Sequence, residues 1–342
     1  MDVSTEVDEP AISCFLQQMH DIQEGLLPVR AALHPTGLYL ALRQIDPSEL
    51  QDAFLQETIA RCPATDTVVQ IAREDIGKAA RDTAPAGLIF HVARCGSTLI
   101  SQLLKQRGDI VVYAEPQAVN EILLPPHKWP RHEMVDALRS LGDAFARHAR
   151  KPYVLKFSSW NTMFCDFLAE AFPQSPWILS LRDPLEVGVS LLRQSPGWLQ
   201  GSQEASRALM RFVDPDVTSK SPEELIGRLY GKFCEAACRL DANRGRLVFY
   251  ETLPAAVWEL VAPHFALSTD DPQRQRMAQA ARFNSKAAAG RSTEFASDAA
   301  AKQAAATAAL RLAIDTFARP QLERLVGLHA ARKPVRYPDA DY

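Results

Sequence analysis

The stretch GLIFHVARCGSTLISQLL, residues 87–104, decides how this chain is read. Gly87 to Val92 is a short apolar run of the kind that makes a buried strand, and the residues from Ser97 onward carry apolar side chains at helical spacing. Between them stands Arg94-Cys95-Gly96-Ser97-Thr98. A strand, a tight loop and a helix bring the first N–H groups of the helix, which have no partner within it, to the end of the strand. Those donors and the helix dipole make an anion site. Arg94 adds positive charge just before the glycine. The same residues also describe an ordinary strand-to-helix turn with a capping serine, and the loop alone leaves both readings open.

A nucleotide loop of the form G-x-x-x-x-G-K-[ST] is the natural comparison. With Gly96 as the second glycine, His91 stands where the first belongs and Ser97 replaces the lysine. That lysine reaches the outer phosphates of a triphosphate, and the hydroxyl after it holds magnesium. The backbone donors around Gly96 to Leu99 survive these losses. The loop therefore fits a phosphate better than a magnesium triphosphate.

Outward from this stretch the chain keeps one rhythm. IVVY, PYVLKF, PWILSL and RLVFY are further strand candidates, separated by helical patterns such as EMVDALRSLGDAFARHA and the segment carrying Ser190. Alternating strands and helices predict an α/β fold, a parallel sheet flanked by helices. In such sheets ligands lie beyond the carboxyl ends of the strands. The residues there are Arg94 to Thr98, Glu115, Lys156 to Ser159, Arg182 with Asp183, and Tyr250 with Glu251. Arg182 and Ser190, eight residues apart, suit a phosphate dianion gripped by charge-assisted hydrogen bonds.

Residues 1–85 form an α+β appendage of unknown role, with CFLQQMHDI and residues 46–62 as helix candidates and GLYLALRQI and TDTVVQIA as strand candidates. Residues 86–330 form the main domain, ending in an alanine-rich helical part, and residues 331–342 read as a loosely ordered tail. The formal net charge of −3 offers no overall positive field for nucleic acid or an anionic membrane. The N-terminus has no signal-peptide pattern, and no apolar run approaches a membrane span. Six scattered cysteines suggest neither a disulfide framework nor a zinc site. A reducing cytoplasm is the expected compartment. Oligomeric state is not legible.

With these residues in view, the chain resembles the sulfotransferases of the P-loop fold, and its motif order is similar to a bacterial branch of them. FHVARCGSTLISQLL resembles the loop that binds the 5′-phosphosulfate of 3′-phosphoadenosine 5′-phosphosulfate. LRDPLEVGVSLL resembles the 3′-phosphate motif, with Arg182 and Ser190 at the matching positions. LVFYETLPAAVWELVAPHFAL resembles the strand–Tyr–Glu–helix segment, and FNSKAAAGRS is similar to the late basic loop. The resemblance covers residues 87 to about 295 and departs at Ala93 and Cys95.

The resemblance implies sulfuryl transfer from that donor to a hydroxyl or amine, with no metal. It implies donor contacts from Arg94, Cys95, Gly96, Ser97, Thr98, Leu99, Arg182, Ser190, Lys286 and Arg291. It implies that Arg94 and Lys156 stabilise charge on the donor and that Glu115 is the general base. His127 and His132 are rival bases, and Glu115 also reads as a helix-terminal acid before Pro116. Cys95 is a small filler or a redox-sensitive thiol. Ser158, Ser159 and Trp160 are lining or core residues. Two other functions stay open. One is a P-loop kinase-like phosphotransferase, disfavoured by the missing lysine. The other is a nucleotide-binding module without catalysis. The acceptor, a small molecule or a biopolymer, is not spelled by any segment.

Overall fold

The structure is a computed structural model that describes residues 25–63, 65–78, 84–124, 129–199, 204–282 and 298–331. It opens with an antiparallel meander of β1 (Leu26–His34), β2 (Gly37–Gln44) and β3 (Thr67–Ala72), paired in chain order. On β2, Leu38, Leu40 and Leu42 point into the core at the two-residue period of a strand. β2 and β3 match the sequence reading, whereas β1 was not anticipated. Its sequence holds Pro28, and the pairing register shifts between Pro28 and Arg30. Proline is tolerated there because β1 is an edge strand. The helix candidate at 14–22 lies outside the described residues.

The single helix expected over 46–62 is broken. Asp46 accepts from the Ser48 N–H at 2.8 Å and from its hydroxyl at 2.6 Å, closing one 3-10 turn. The helix proper, α1 (Leu55–Arg61), starts only after Phe54. Tertiary partners claim the residues between: the Asp52 carbonyl accepts from Lys105 Nζ at 2.5 Å, and its carboxylate accepts from Thr58 and Arg61. Local side-chain bonding of this kind competes with helix continuation.

The chain then builds the parallel sheet through β4 (Gly87–His91), α2 (Ser97–Lys105), β5 (Val111–Ala114), α3 (Gln117–Leu123), α4 (Arg131–Ala149), β6 (Tyr153–Lys156), α5 (Cys165–Ala171), β7 (Trp177–Leu181), α6 (Pro184–Arg193), α7 (Glu204–Val213), α8 (Pro222–Ala237) and β8 (Gly245–Phe249). The five strands expected from the sequence are these five. Their order across the sheet is β5-β6-β4-β7-β8, every pair parallel. Strands β4 to β7 are buried along their whole length, which is why they read as continuous apolar runs and not as alternating ones. From β4 the chain runs to β5 and β6 on one side and to β7 and β8 on the other. The carboxyl end of β4 therefore lies at the topological switch point, where open sheets bind ligands.

After β8 come α9 (Asp271–Ala280), α10 (Ala299–Ala305), α11 (Ala308–Ala313) and α12 (Arg319–Ala330). The alanine-rich part is helical as its composition suggests. Thr307, accepting from the Leu310 N–H at 3.1 Å, starts a new helix where one long helix was conceivable. α11 and α12 pack on α8.

The meander is not detached from the parallel sheet, since residues of both share one hydrophobic core. Glu121 of α3 accepts from the Ala31 N–H of β1 at 2.8 Å. His148 of α4 bonds the Ile45 carbonyl through Nε2 at 2.7 Å and Tyr113 through Nδ1 at 2.6 Å. Among the described residues no helix is long and apolar enough to cross a membrane.

Candidate active site

The loop after β4 is held in an uncommon backbone. Gly96 has φ 84°, and a Cβ there would stand 2.7 Å from Leu253 Cδ1 and 3.0 Å from Tyr250 Cδ2. The conformation favours glycine, and a Cβ would also push the Leu253 and Tyr250 side chains aside. Arg94 adopts φ 60° although it has a Cβ, a strain of about 1–3 kcal/mol that the surroundings must enforce. They do so from beneath: the Cys95 thiol donates to the Val92 carbonyl at 2.7 Å, and the Ser180 hydroxyl of β7 donates to the Cys95 carbonyl at 3.1 Å. Cys95 is buried, and burial pushes its thiol pKa up. Both observations favour the filler reading over a reactive thiol.

The neighbouring strand ends are brought together by register. Ala114 of β5 and Ile89 of β4 both lie opposite Lys156 of β6. The Glu115 N–H donates to the Lys156 carbonyl at 2.7 Å, continuing the ladder by one step. Glu115 then turns into the left-handed region at φ 59°. Its carboxylate meets the Lys156 ammonium in an ion pair, and the two side chains are 25% and 0% exposed. The Phe54 ring lies 5.2 Å from Lys156 Nζ. So a residue of the N-terminal segment completes the surroundings of a charge on the central sheet.

His91, the last residue of β4, approaches the same carboxylate, with Nε2 3.7 Å from Glu115 Oε1. Its ring nitrogens face the Val92 and Phe157 carbonyls, each at 2.9 Å. Burial, reinforced by the Lys156 charge, pushes its pKa down to about 4. The ring is neutral at pH 7 and carries one N–H, so only one of the two carbonyls receives a hydrogen.

On the other side of the loop, β7 leads into Arg182-Asp183-Pro184. The sequence itself dictates this helix start. Asp183 caps α6 by accepting from the Leu185 and Glu186 N–H groups at 2.9 and 3.1 Å, with Pro184 at the first helical position. Arg182 is 6% exposed and stacks on the Tyr250 ring at 3.9 Å. Its Nε donates to Glu186 at 2.7 Å and its Nη2 to Asp298 at 2.7 Å. The Ser190 hydroxyl donates back to the Glu186 carbonyl at 2.9 Å.

These groups surround one cavity of about 760 Å³, within the size range of small-molecule sites. Arg94, Gly96, Ser97, Thr98, Leu99, Glu115, Arg182 and Ser190 line it, as do Ser159 and Tyr250. Arg94 donates through Nη2 to the backbone and side-chain oxygens of Gln194, another lining residue, both at 2.9 Å. The Cys95 side chain turns into the core. Trp160 is buried against Phe164, and Ser158 caps the turn that follows β6. His132 sits at the exposed start of α4 and does not line the cavity. His127, Lys286 and Arg291 lie outside the described residues.

The cavity also holds residues that sequence reasoning missed. His91 was read only as a substitute for a glycine, although its place at the end of the strand before the loop was a usable signal. Arg193 follows Ser190 by three positions, on the same face of α6, and has no hydrogen-bond or ion-pair partner among the described residues. Phe54, Asp298 and Lys302 carried no local signal. Among the described residues no group of three or more His, Cys, Asp or Glu side chains is arranged to hold a metal ion.

Neither a protein-family model nor any curated protein sequence matches the chain. It is similar to several solved structures. The sulfotransferase domain of the Synechococcus PCC 7002 olefin synthase is 15% identical over 69% of this chain and 94% of that one, with a TM-score of 0.44. A sulfotransferase from Alicyclobacillus acidocaldarius is 16% identical over 73% and 97%, with a TM-score of 0.40. A sulfotransferase from Mycobacterium tuberculosis H37Rv is 14% identical over 75% and 81%, with a TM-score of 0.36.

Proposed function

We propose that this chain transfers a sulfuryl group from 3′-phosphoadenosine 5′-phosphosulfate to a hydroxyl or amine acceptor. The supporting observation is the cavity itself. It joins a phosphate loop lacking the triphosphate lysine to an Arg182–Ser190 face and to Glu115, whose ion-pair partner Lys156 is fully buried and does not itself line the cavity. The loop amides and Arg94 hold the 5′ arm of the donor. Arg182, Ser190 and Arg193 face its 3′-phosphate.

The chemistry follows from the pair. An acceptor oxygen forms a bond to sulfur while the bond from sulfur to the bridging oxygen breaks. The acceptor proton passes to Glu115, and the bisphosphate leaves with the bond's electrons. Protonation of Glu115 removes the counter-charge of Lys156 just as negative charge grows on the leaving oxygen, so the buried ammonium stabilises that oxygen through space, from behind Glu115. His91, neutral and with both ring nitrogens facing backbone carbonyls, is a poorer base than Glu115.

Thermal unfolding with adenosine 3′,5′-bisphosphate tests the class. The bisphosphate should raise Tm with or without chelator, since a ligand at a hundredfold excess over Kd stabilises by about 2.7 kcal/mol. Preference for ATP with magnesium overturns the reading. Tight bisphosphate binding with no transfer to any acceptor, and no donor hydrolysis, would favour a binding module.

A further inference from the structure

The 3′ side of the cavity already contains an anion. Asp298 places one carboxylate oxygen 2.7 Å from Arg182 Nη2 and the other 2.7 Å from Lys302 Nζ. Two cations share one carboxylate in the bridging manner suited to a phosphate. Asp298 stands directly before α10, yet its side chain makes no capping bond to that helix. Its carboxylate is committed to the cations.

We infer that Lys302 is a second cation of the 3′-phosphate subsite and that Asp298 fills this subsite as an internal counter-anion, which a 3′-phosphate displaces. The inference rests on the functional reading above. Exposure supports the exchange. The Asp298 side chain is 52% exposed, whereas those of Arg182 and Lys302 are 6% and 9% exposed. The anion faces solvent and can swing away, while the cations stay walled in. Arg182 remains anchored without Asp298, through Glu186 at Nε and the Tyr250 ring beneath it.

Charge supports the exchange as well. Arg182 and Lys302 balance Glu186 and Asp298, so the cluster is neutral as it stands. Removing Asp298 leaves an unpaired positive charge between two buried cations, and a phosphate satisfies it. A nucleotide without a 3′-phosphate does not displace Asp298, and these four groups stay neutral together. The aspartate thus competes with the 3′ group for the two cations and lowers the affinity that the group adds, without touching nucleotides that lack it.

Calorimetric titration of the full chain with adenosine 3′,5′-bisphosphate and with adenosine 5′-monophosphate tests this. Asp298→Asn should tighten the bisphosphate by about three- to tenfold and leave the monophosphate within about twofold. Lys302→Met should weaken the bisphosphate by about tenfold or more, again sparing the monophosphate. If Asp298→Asn fails to fold, Lys302→Met decides. A wild-type chain that binds the two nucleotides equally overturns the 3′-phosphate subsite and this inference together. A wild-type preference for the bisphosphate, combined with weaker or unchanged binding in Asp298→Asn or with equal losses for both nucleotides in Lys302→Met, overturns this inference alone.

Discussion

Glu115→Gln is a near-isosteric change that, judged from sequence, should spare folding while removing a base. The structure alters the first half of that expectation. The substitution strips the counter-charge from a fully buried ammonium, since the Lys156 side chain has 0% exposure. Breaking a buried pair from one side costs about 3–5 kcal/mol. The Glu115 side chain keeps 25% exposure at the cavity wall, so water reaches the pair and relieves part of the cost. We expect a loss of about 2–3 kcal/mol, a fall in Tm of roughly 3–4 °C in a chain of this length. Lys156→Met alone should cost less, because the orphaned carboxylate borders the cavity. The double variant should recover stability relative to the sum of the single losses, with a coupling of at least about 1 kcal/mol. Urea unfolding of the wild type and three variants measures this cycle. Single losses that add to within about 0.5 kcal/mol would refute the buried pair. In the transfer assay, Glu115→Gln should also slow turnover by about 10²–10⁴-fold while bisphosphate affinity holds. An unchanged rate would remove Glu115 from the base role.

Three other changes test the site. Arg94→Ala should relieve its left-handed strain only slightly and weaken adenosine 5′-phosphate and bisphosphate alike, by about one to two decades in Kd. Loss confined to the bisphosphate would move Arg94 to the 3′ side. His91 has a folded pKa lowered to about 4 by burial. Below its unfolded value of about 6.5 the unfolded chain binds the extra proton first, so stability present above that pH is lost as pH falls toward 4, by up to about 3 kcal/mol. Urea midpoints at several pH values should show this slope flattened in His91→Gln, and an equal slope in both proteins would contradict the buried neutral ring. Gly96→Ala should lower Tm and weaken nucleotide binding, because φ 84° strains a residue with a Cβ and the new methyl pushes the Leu253 side chain aside. Wild-type binding in a folded Gly96→Ala protein would contradict the loop geometry.

The parallel sheet was legible because its strands are covered on both faces. Burial on both faces turns GLIFH and WILSL into mostly apolar runs without the alternation of a half-exposed strand. The anion loop was legible for a related reason, since a strand end, one obligatory glycine and a helix start are contiguous in the chain. The Asp183 cap of α6 belongs with them. Each is a feature of a few neighbouring residues, and local backbone chemistry suffices to read it. β1 escaped because Pro28 and a bulge disguise an edge strand, and the helix over 46–62 failed because Asp52 finds its partners in α1 and on Lys105.

The charge pairing of the site belongs to tertiary structure alone. Glu115 and Lys156 were candidates by their strand-end positions, but their contact depends on β5 lying beside β6 in one register. His91 joins them only because β4 is the strand on the other side of β6. Phe54 arrives from the connection between β2 and β3, and Asp298 and Lys302 from the start of α10, more than a hundred residues beyond Arg182. Sequence separation says nothing about such encounters. A buried charge accepts whatever partner the packed core brings within a few ångströms, and the sheet order and helix packing decide which partner that is.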